Sequence, residues 1–416
     1  MKIAIVGAGI VGVTTAYELA ADGHAVTVFE QHSAAAAEAS FAPGGLLAPA
    51  LASAWSAPGA AAAPAVLGRH ATLRLGRSLT LADLAWLRRW RRAAHASTRS
   101  PEPPLALAAL ERLARYSHAR LLELTESLDL HFEHSPGTLL LLRSPRDAQA
   151  LAPALKALRN GGNALHEVDA DQARAIEPGL SPALPLAGAL HLPGGQAGNC
   201  RQFTLLLRQA AQQHGAQFLF NARVGRLGGS PASVQVAGES APRPFDAVVL
   251  CAGVHSAALL QPLGQRLPLV ALHGSSVSAP VSEELHAPLG VVVDVHTQTT
   301  IARLGQRVRV SGGAELGRGP AAAHPQTLRT LYRVLGECFP GGIVHSSGVQ
   351  VWRGACPMLP DGPPAIGATA VPGLWLNLGH GASGWALACG SARALADQVA
   401  GKTPDVDLEG LGAQRF

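Results

Sequence analysis

Residues 2–30, KIAIVGAGIVGVTTAYELAADGHAVTVFE, decide the fold of this 416-residue chain. Lys2 to Val6 is a continuous apolar run, which is typical of a strand buried on both faces. The glycine-rich turn Gly7 to Gly12 follows, and a helical pattern then leads to a second strand that ends at Glu30. This order of strand, turn, helix and strand predicts the first unit of a parallel α/β sheet.

The three glycines of the turn have separate tasks in a nucleotide-binding unit. Gly7 permits the tight turn, Gly9 lets the backbone approach a pyrophosphate, and Gly12 lets the helix pack against the strand. The helix N-terminus then presents N–H groups and its positive dipole end to the phosphates. Glu30 lies 18 residues after Gly12, where such a unit places an acid beside the adenosine ribose. The segment predicts dinucleotide binding without distinguishing FAD from NAD.

Composition and charge exclude several classes of protein. With 48% hydrophobic and 15% charged residues, the chain can bury a large core and is long enough for two domains. The net charge of +5 is modest and scattered, so no nucleic-acid partner is expected. Five separated cysteines indicate neither a disulfide framework nor a metal site. No apolar run is long enough to span a membrane, so we expect a cytoplasmic protein with at most peripheral contact with the inner membrane.

The middle of the chain predicts a second domain. Strand-like runs recur between residues 138 and 312, and a turn at 304–306 predicts a hairpin, so an antiparallel sheet is favoured. Helical patterns cover Leu79–His95, Leu105–Ser127 and Pro145–Asn160. The first of these carries two tryptophans among four arginines. We expect a surface helix with its tryptophans in the core, and a helix resting on a membrane surface is the alternative.

Two later segments are predicted to return to the first sheet. Phe245–Leu250 is a buried strand that runs into a sharp turn at 251–253, at the edge where open α/β sheets bind ligands. Leu374–Leu378 is followed by GHGASG at 379–384 and a helix, which again aims N–H donors at one place. A cofactor held by both ends of the chain favours an extended FAD. The small-residue stretch 34–63 is expected to line a buried site.

Five stretches carry a resemblance that spans the whole chain. They are GAGIVGV at 7–13, EASFAPGGLLAPALASAWSAPG at 38–59, GNCRQFT at 198–204, RVRVSGGAELG at 307–317, and MLPDGPPAIG at 358–367 with LWLNLGHGASGWALACGSARALAD at 374–397. In them the chain resembles the FAD-dependent D-amino-acid dehydrogenases of the D-amino-acid oxidase and glycine oxidase superfamily. The resemblance implies non-covalent FAD, a discontinuous Rossmann-like cofactor domain, an antiparallel α+β substrate domain, and oxidation of a C–N bond to an imine.

These expectations assign parts of the chain to the two domains and to the cofactor. We expect residues 1–80, 190–262 and 345–416 to form the cofactor domain, and 81–189 with 263–344 to form the substrate domain. Carried over position by position from the resemblance, the flavin contacts fall on Gly7, Gly9, Gly12, Glu30, Ser40, Ala48, Val224, Cys251, Ala252, Gly253, Gly379, His380, Gly381 and Gly384.

The chain departs from the resemblance where the substrate carboxylate is held. Relatives have an arginine there, in a Gly-x-Arg-Pro motif, whereas this chain reads Gly-Ala-Cys-Pro with Cys356 in that place. The lost charge-assisted bond is worth about ten- to a hundred-fold in affinity. Three explanations stay open: Arg353 or Arg303 supplies the charge, the substrate lacks a free carboxylate, or the protein is a flavin-bearing subunit with little activity. Cys356 itself is expected to be a small buried residue and not a nucleophile.

The resemblance implies hydride transfer from the substrate α-carbon to the flavin, with no obligatory side-chain base. His380 either contributes to this site or holds the loop backbone together. We expect an FAD-dependent dehydrogenase or oxidase for a small amine, with a D-amino acid or cyclic imino acid as the first candidate. The alternatives are an amine dehydrogenase for a substrate without a carboxylate, a non-catalytic flavoprotein subunit and an NAD-dependent dehydrogenase. Oxygen, a quinone or a protein are all open as electron acceptor.

Overall fold

Two large β-sheets organise the chain. The computed structural model describes residues 1–52, 73–76, 78–99, 104–160, 164–317, 323–344 and 346–416. The strands are, in chain order, β1 (Lys2–Val6), β2 (Ala25–Phe29), β3 (Leu46–Leu47), β4 (Leu73–Leu75), β5 (His134–Leu142), β6 (His166–Val168), β7 (Gly188–Gly198), β8 (Gln217–Leu219), β9 (Val224–Gly229), β10 (Ala232–Val236), β11 (Arg243–Pro244), β12 (Ala247–Leu250), β13 (Val270–Pro280), β14 (Val291–Asp294), β15 (Thr299–Leu304), β16 (Arg307–Leu316), β17 (Gln350–Met358), β18 (Ala365–Ala368) and β19 (Leu374–Leu378). The α-helices are α1 (Ile10–Ala21), α2 (Leu81–Arg99), α3 (Leu105–Ser127), α4 (Pro145–Asn160), α5 (Ala170–Ile176), α6 (Cys200–Gln213), α7 (Ser256–Leu260), α8 (Pro325–Cys338) and α9 (Gly384–Val399).

The first sheet is the parallel sheet predicted from residues 2–30. Its strand order is β18-β19-β12-β1-β2-β8, and every pairing is parallel except that of β18 with β19. The central β1 is buried on both faces: Ile3 and Ile5 belong to one hydrophobic cluster, and Ala4 and Val6 belong to another. The predicted return of the later chain to this sheet is confirmed, because β12 lies between β1 and β19.

The helices on one face of this sheet are joined by charge as well as by apolar packing. Glu18 of α1 is completely buried, and its carboxylate accepts hydrogen bonds from Arg120 of α3 at 2.8 Å and from Arg393 of α9 at 2.9 Å. Helices α3 and α9 cross so closely that a Cβ on Gly390 would lie 2.7 Å from the Cα of Ser117. This packing fixes α1 and α9, whose N-termini both point to the site described below.

The second sheet is mixed where an antiparallel sheet was expected. Its main order is β17-β13-β16-β15-β14-β5-β7-β3, with β4 added to β16 and β6 added to β7. Most pairings are antiparallel, and the predicted hairpin joins β15 to β16 with Leu304 opposite Arg307. However, β14 pairs with β5 and β4 with β16 in parallel. The connection from β5 to β14 is long enough to return the chain in the same direction, which a short turn cannot do.

The predicted two-domain division stays a prediction, and several elements do not follow its boundaries: β3, β4 and most of β7 fall in the ranges expected for the cofactor domain, yet they pair in the second sheet. Strand β17 falls in the range 345–416 expected for the cofactor domain, yet it pairs with β13 of the second sheet. Helix α3 falls in the range expected for the substrate domain, yet its buried side chains share a cluster with α1 and α9. Of these elements, β17 contributes Cys356 to the walls of both cavities described below.

Helix α2 is the basic helix whose tryptophans were expected in the core. Trp86 is 2% exposed, and its indole N–H donates to the carbonyl oxygen of Met358 at 3.1 Å. Trp90 is half-buried and stacks on Trp86, while the neighbouring arginines are exposed. The core placement is therefore confirmed for Trp86. Among the described residues, we find no helix that is both long and apolar enough to cross a membrane.

Candidate active site

A cavity lies at the carboxyl ends of β1, β2, β12 and β19, where turns from both ends of the chain meet. The turn after β1 touches the turn after β12, since a Cβ on Gly7 would lie 2.6 Å from the carbonyl oxygen of Cys251. The loop after β19 lines the same cavity and is tied to β17 by a backbone bridge between His380 and Met358. The glycine turns that are distant in sequence are therefore adjacent in space.

The N-terminal glycine turn has the local geometry that its sequence predicts. A Cβ on Gly12 would overlap the carbonyl oxygen of Gly7, so only glycine lets α1 pack this closely. Gly9 is the N-cap of α1, with φ −70° and ψ 179°, and the amide of Ile10 donates to Ser40 Oγ at 3.0 Å. The amide of Val11, a cavity-lining residue in the first helical turn, has no acceptor within the helix. The turn thus offers N–H donors beside an open wall.

Glu30 is held at the end of β2 by backbone amides. Its two carboxylate oxygens accept from Ala8 N at 2.7 Å and from His32 N at 2.9 Å. The residue is 8% exposed and lines the cavity. A carboxylate oxygen has further lone pairs, so Glu30 can still accept hydrogen bonds from a sugar hydroxyl in the cavity.

A second acid in the cavity wall was not predicted from the sequence. Glu38 Oε1 lies 2.8 Å from His32 Nε2, 3.2 Å from His255 Nε2 and 2.9 Å from the amide nitrogen of Gln31. We call these four residues the Glu38 cluster. The hydrogen bond with His255 lowers the pKa of Glu38 to about 2, and the same bond raises the pKa of His255. The cluster joins the loop after β2 to the turn after β12, and all four members line the cavity.

The structure brings together most of the residues predicted to contact a flavin. The cavity is lined by Gly7, Gly9, Glu30, Ser40, Val224, Cys251, Ala252, Gly253, Gly379, His380, Gly381 and Gly384. Gly12 lies behind the turn, where its role is packing. Ala48 is not brought to this cavity, because β3 carries the chain away and Ala48 packs with Leu140 and Leu190. Of the stretch 34–63, residues 37–40 and 43 line the cavity, and 53–63 lie outside the described residues.

Two polar side chains under the loop after β19 have different roles. His380 is 3% exposed, and its Nε2 lies 3.1 Å from Ser391 Oγ in α9. Burial lowers the pKa of His380 to about 3, so the imidazole is neutral and ties the loop to the helix. Asn377 is fully buried, and its amide donates to Thr15 Oγ1 at 3.1 Å. Its Oδ1 has no hydrogen-bond partner among the described residues, and the residue lines the cavity. In the sequence, Asn377 could have been recognised as a candidate site residue because it is a polar residue just before the glycine turn at 379–384.

A second cavity opens beside the first and leads along the second sheet. The two cavities share Pro43, Cys356, Ala382 and Trp385 as lining residues. Trp385, at the start of α9, is anchored by its indole N–H, which donates to the carbonyl oxygen of Gly198 at 3.1 Å. A small molecule in the second cavity would therefore lie against whatever fills the first.

Neither arginine predicted to replace the missing cation reaches these cavities. Arg353 Nη2 lies 3.3 Å from Glu315 Oε2, and Glu315 also accepts from Thr327 Oγ1 of α8 at 3.1 Å. This ion pair is nearly buried and lies behind the cavity wall. Arg303 lies near the end of β15, 3.1 Å from Glu284. Neither side chain is among the described residues that line the two cavities, since each is engaged with an acid elsewhere.

These features fit FAD. Glycines line a cradle that a Cβ at Gly7 would fill, and the N-terminus of α1 faces this cradle. The carboxylate of Glu30 is fixed at the end of β2, and Oδ1 of Asn377 has no hydrogen-bond partner among the described residues. An extended dinucleotide needs walls from both chain ends, which this cavity has. The fold and the site thus define an oxidoreductase of the flavoprotein class.

Comparison with known proteins gives the family. Residues 2–398 match the family described as FAD dependent oxidoreductase (DAO), and the chain belongs to it. It is 40% identical to a D-amino acid dehydrogenase of Cereibacter sphaeroides, over 100% of this chain and 95% of that protein, and 36% identical to one of Rhizorhabdus wittichii over all of both. Glycine oxidase from Geobacillus kaustophilus has a similar fold, with a TM-score of 0.78 at 21% identity over 100% and 98% of the two chains. FAD is therefore the cofactor, and the NAD-dependent alternative is wrong.

Proposed function

We propose that this FAD-dependent oxidoreductase oxidises the C–N bond of a small amine of the D-amino-acid type and releases an imine. The observation that carries the proposal is the second cavity, which meets the cofactor cavity at Cys356 and Trp385. The D-amino acid dehydrogenases to which the chain is 40% and 36% identical support this substrate type. A D-amino acid or a cyclic imino acid is the first candidate.

The chain's own residues would hold the cofactor at four places. The turn at Gly9 and the N-terminus of α1 would hold the diphosphate, and Glu30 would accept a hydrogen bond from the adenosine ribose. The loop after β19 and the N-terminus of α9 provide N–H donors for the ring edge, with His380 as the positioning residue that ties them together. The Glu38 cluster closes the cavity between two loops.

When bound, FAD supplies a two-electron acceptor for the hydride that leaves the substrate carbon. The Cα–H bond breaks with its electron pair, the amine nitrogen loses a proton, and a C=N bond forms. Asp and Glu are absent from the described lining of the second cavity, which agrees with a reaction that needs no carboxylate base. The walls there would orient the amine.

A second candidate is oxidation of an amine without a free carboxylate. The observation that favours it is the pairing of Arg353 with Glu315 and of Arg303 with Glu284, since neither arginine is among the described residues that line the cavities. The reaction is the same, and only the group attached to the α-carbon differs.

Anaerobic reduction of the flavin tests the proposal. The purified holoenzyme is mixed with D-alanine, D-proline, D-alaninamide and a cyclic amine, and the loss of the visible flavin absorbance is followed. We expect at least one of the D-configured probes to bleach the flavin, with L-alanine as the matched control. If no probe bleaches it while dithionite does, the chain is a flavoprotein without this activity. Admission of air afterwards shows whether oxygen restores the oxidised flavin.

We also propose that the protein works in a reducing cytoplasmic compartment, with no more than peripheral membrane contact. The five cysteines are all free, and four of them are buried, so the fold is built without a disulfide. Unfolding in the presence and absence of a thiol reductant should give the same midpoint, and a midpoint that depends on the reductant would contradict this.

A further inference from the structure

We infer that the head group of the substrate is uncharged, a carboxamide or an ester of a D-amino acid, and that Cys356 is the residue that sets this preference. The inference rests on the proposed C–N oxidation and, for the same site, selects the second candidate, a substrate without a free carboxylate, over the free D-amino acid.

The described part of the wall where the two cavities meet is neutral. Its shared residues are Pro43, Cys356, Ala382 and Trp385, none of which is charged. Cys356 lies opposite Leu272 in the pairing of β17 with β13, and it packs in an apolar cluster with that residue. Cys356 is half-buried where a buried residue was expected, and desolvation raises the pKa of its thiol to about 11, so it carries no charge at neutral pH. This is also the place where the sequence resemblance led us to expect an arginine.

Of the two arginines that line the described part of the second cavity, Arg333 is paired with an acid, whereas Arg74 meets only an imidazole. Arg333 lies 3.1 Å from Glu337, and Arg74 lies 3.3 Å from His324 Nδ1. Arg74 lies on β4 and Arg333 on α8, whereas Cys356 lies on β17. None of the described residues shared by the two cavities is charged, so a substrate carboxylate held at the junction would leave water without an adjacent counter-charge, which disfavours its binding.

One buried cation lies close by without lining either cavity. Arg309 of β16 donates from Nη1 to the carbonyl oxygen of Pro43 at 3.1 Å, and burial lowers its pKa to about 10. No carboxylate lies within ion-pair distance of Arg309 among the described residues. It remains charged at neutral pH, so it is the rival carboxylate partner that the experiment must separate from the neutral wall.

Neutral hydrogen-bonding groups are available in the second cavity. Nδ1 of His273 and Oγ of Ser311 have no hydrogen-bond partner among the described residues, and both residues line this cavity. Burial, assisted by the charge of Arg353, lowers the pKa of His273, so the imidazole is neutral. Neutral donors and acceptors match a carboxamide, which offers a carbonyl oxygen and an N–H group without a net charge.

The test compares matched probes on the holoenzyme. D-alanine, D-alaninamide and D-alanine methyl ester differ in the head group alone, and anaerobic stopped-flow gives the efficiency of flavin reduction by each. We expect the wild-type enzyme to favour the amide or ester over the carboxylate by about ten-fold or more, because a carboxylate lacks a charged partner. Cys356→Arg should raise the efficiency with D-alanine by about ten- to a hundred-fold and lower it with the amide. Cys356→Ser is the control, which keeps the wild-type order.

A binding measurement covers the case in which Cys356→Arg fails to retain flavin. Propionamide and propionate are unreactive, and each is titrated into the wild-type holoenzyme while the flavin spectrum is recorded. Perturbation by propionamide at lower concentration supports the inference, and perturbation by propionate at lower concentration overturns it.

The remaining outcomes separate this inference from the proposed function. Faster reduction of the wild-type flavin by D-alanine than by D-alaninamide overturns the inference and leaves C–N oxidation standing. If Arg309→Gln then abolishes the reaction with D-alanine, Arg309 is the carboxylate partner. If the Cys356→Arg enzyme binds flavin and keeps the wild-type order of probes, Cys356 does not set the preference for the head group. Failure of every probe to reduce the flavin overturns the proposed function itself.

Discussion

Replacing Gly9 by alanine should weaken FAD binding without unfolding the protein. Gly9 has φ −70° and ψ 179°, a backbone conformation that any residue adopts. The nearest atom to an added Cβ is Ser40 Oγ at 3.3 Å, so a shift of a few tenths of an ångström accommodates it. Removing a glycine at an unstrained position also stabilises the fold by about 0.4–1 kcal/mol through the unfolded state. The apoprotein should therefore unfold at or slightly above the wild-type temperature.

The effect on the cofactor should be much larger. The methyl group would stand between the phosphates and the N–H groups at the start of α1, and the loss of one charge-assisted hydrogen bond costs about 1.5–3 kcal/mol. The Kd for FAD should rise by about ten- to a hundred-fold, measured by titrating apoprotein with FAD and following the quenching of flavin fluorescence. Gly12→Ala is the matched comparison: its Cβ would overlap the Gly7 carbonyl oxygen, so it should lower the unfolding temperature of the apoprotein as well. A Gly9→Ala protein that binds FAD with the wild-type Kd would refute the placement of the diphosphate at this helix.

Three further changes test the rest of the site. The ion pair of Glu38 with His255 is fully formed between the ordinary pKa values of the two groups, about 4.5 and 6.5, and it is lost as the pH rises through the raised pKa of His255 or falls toward 2. The rate of FAD release should therefore increase above pH 6.5, and Glu38→Gln should release FAD rapidly at all pH values. If the release rates of the wild-type and Glu38→Gln proteins change with pH in the same way, this reasoning is wrong. Glu18→Gln leaves Arg120 and Arg393 facing a neutral buried amide, so it should lower the free energy of unfolding, measured by urea titration, by about 3–5 kcal/mol. An unchanged urea midpoint would show that the two ion pairs of Glu18 contribute nothing to stability. His380→Gln should leave the pH profile of flavin reduction unchanged, because the imidazole is already neutral. If the variant's profile lacks an ionisation near neutral pH that the wild-type profile shows, His380 is a catalytic group.

The folding pattern of residues 2–30 could be predicted because its determinants are local. An apolar run, a turn that requires glycine and a helical pattern act within a few residues of one another, and Gly12 has the predicted packing role. The later strands β12 and β19 could be assigned to the same sheet because each ends in a turn with the same chemistry. The mixed second sheet could not be predicted, because the direction in which β5 meets β14 depends on the long connection between them.

The sequence by itself determined the cofactor class, the parallel sheet and the position of the missing arginine at Cys356. Only the tertiary structure decided that Arg353 is engaged by Glu315, that Glu38 joins His255, and that the described residues beside Cys356 form a neutral wall. The physical reason is the range of the interactions. Backbone propensity and glycine geometry act between neighbours in the chain, whereas an ion pair or a cavity wall depends on residues that meet only after both sheets have formed.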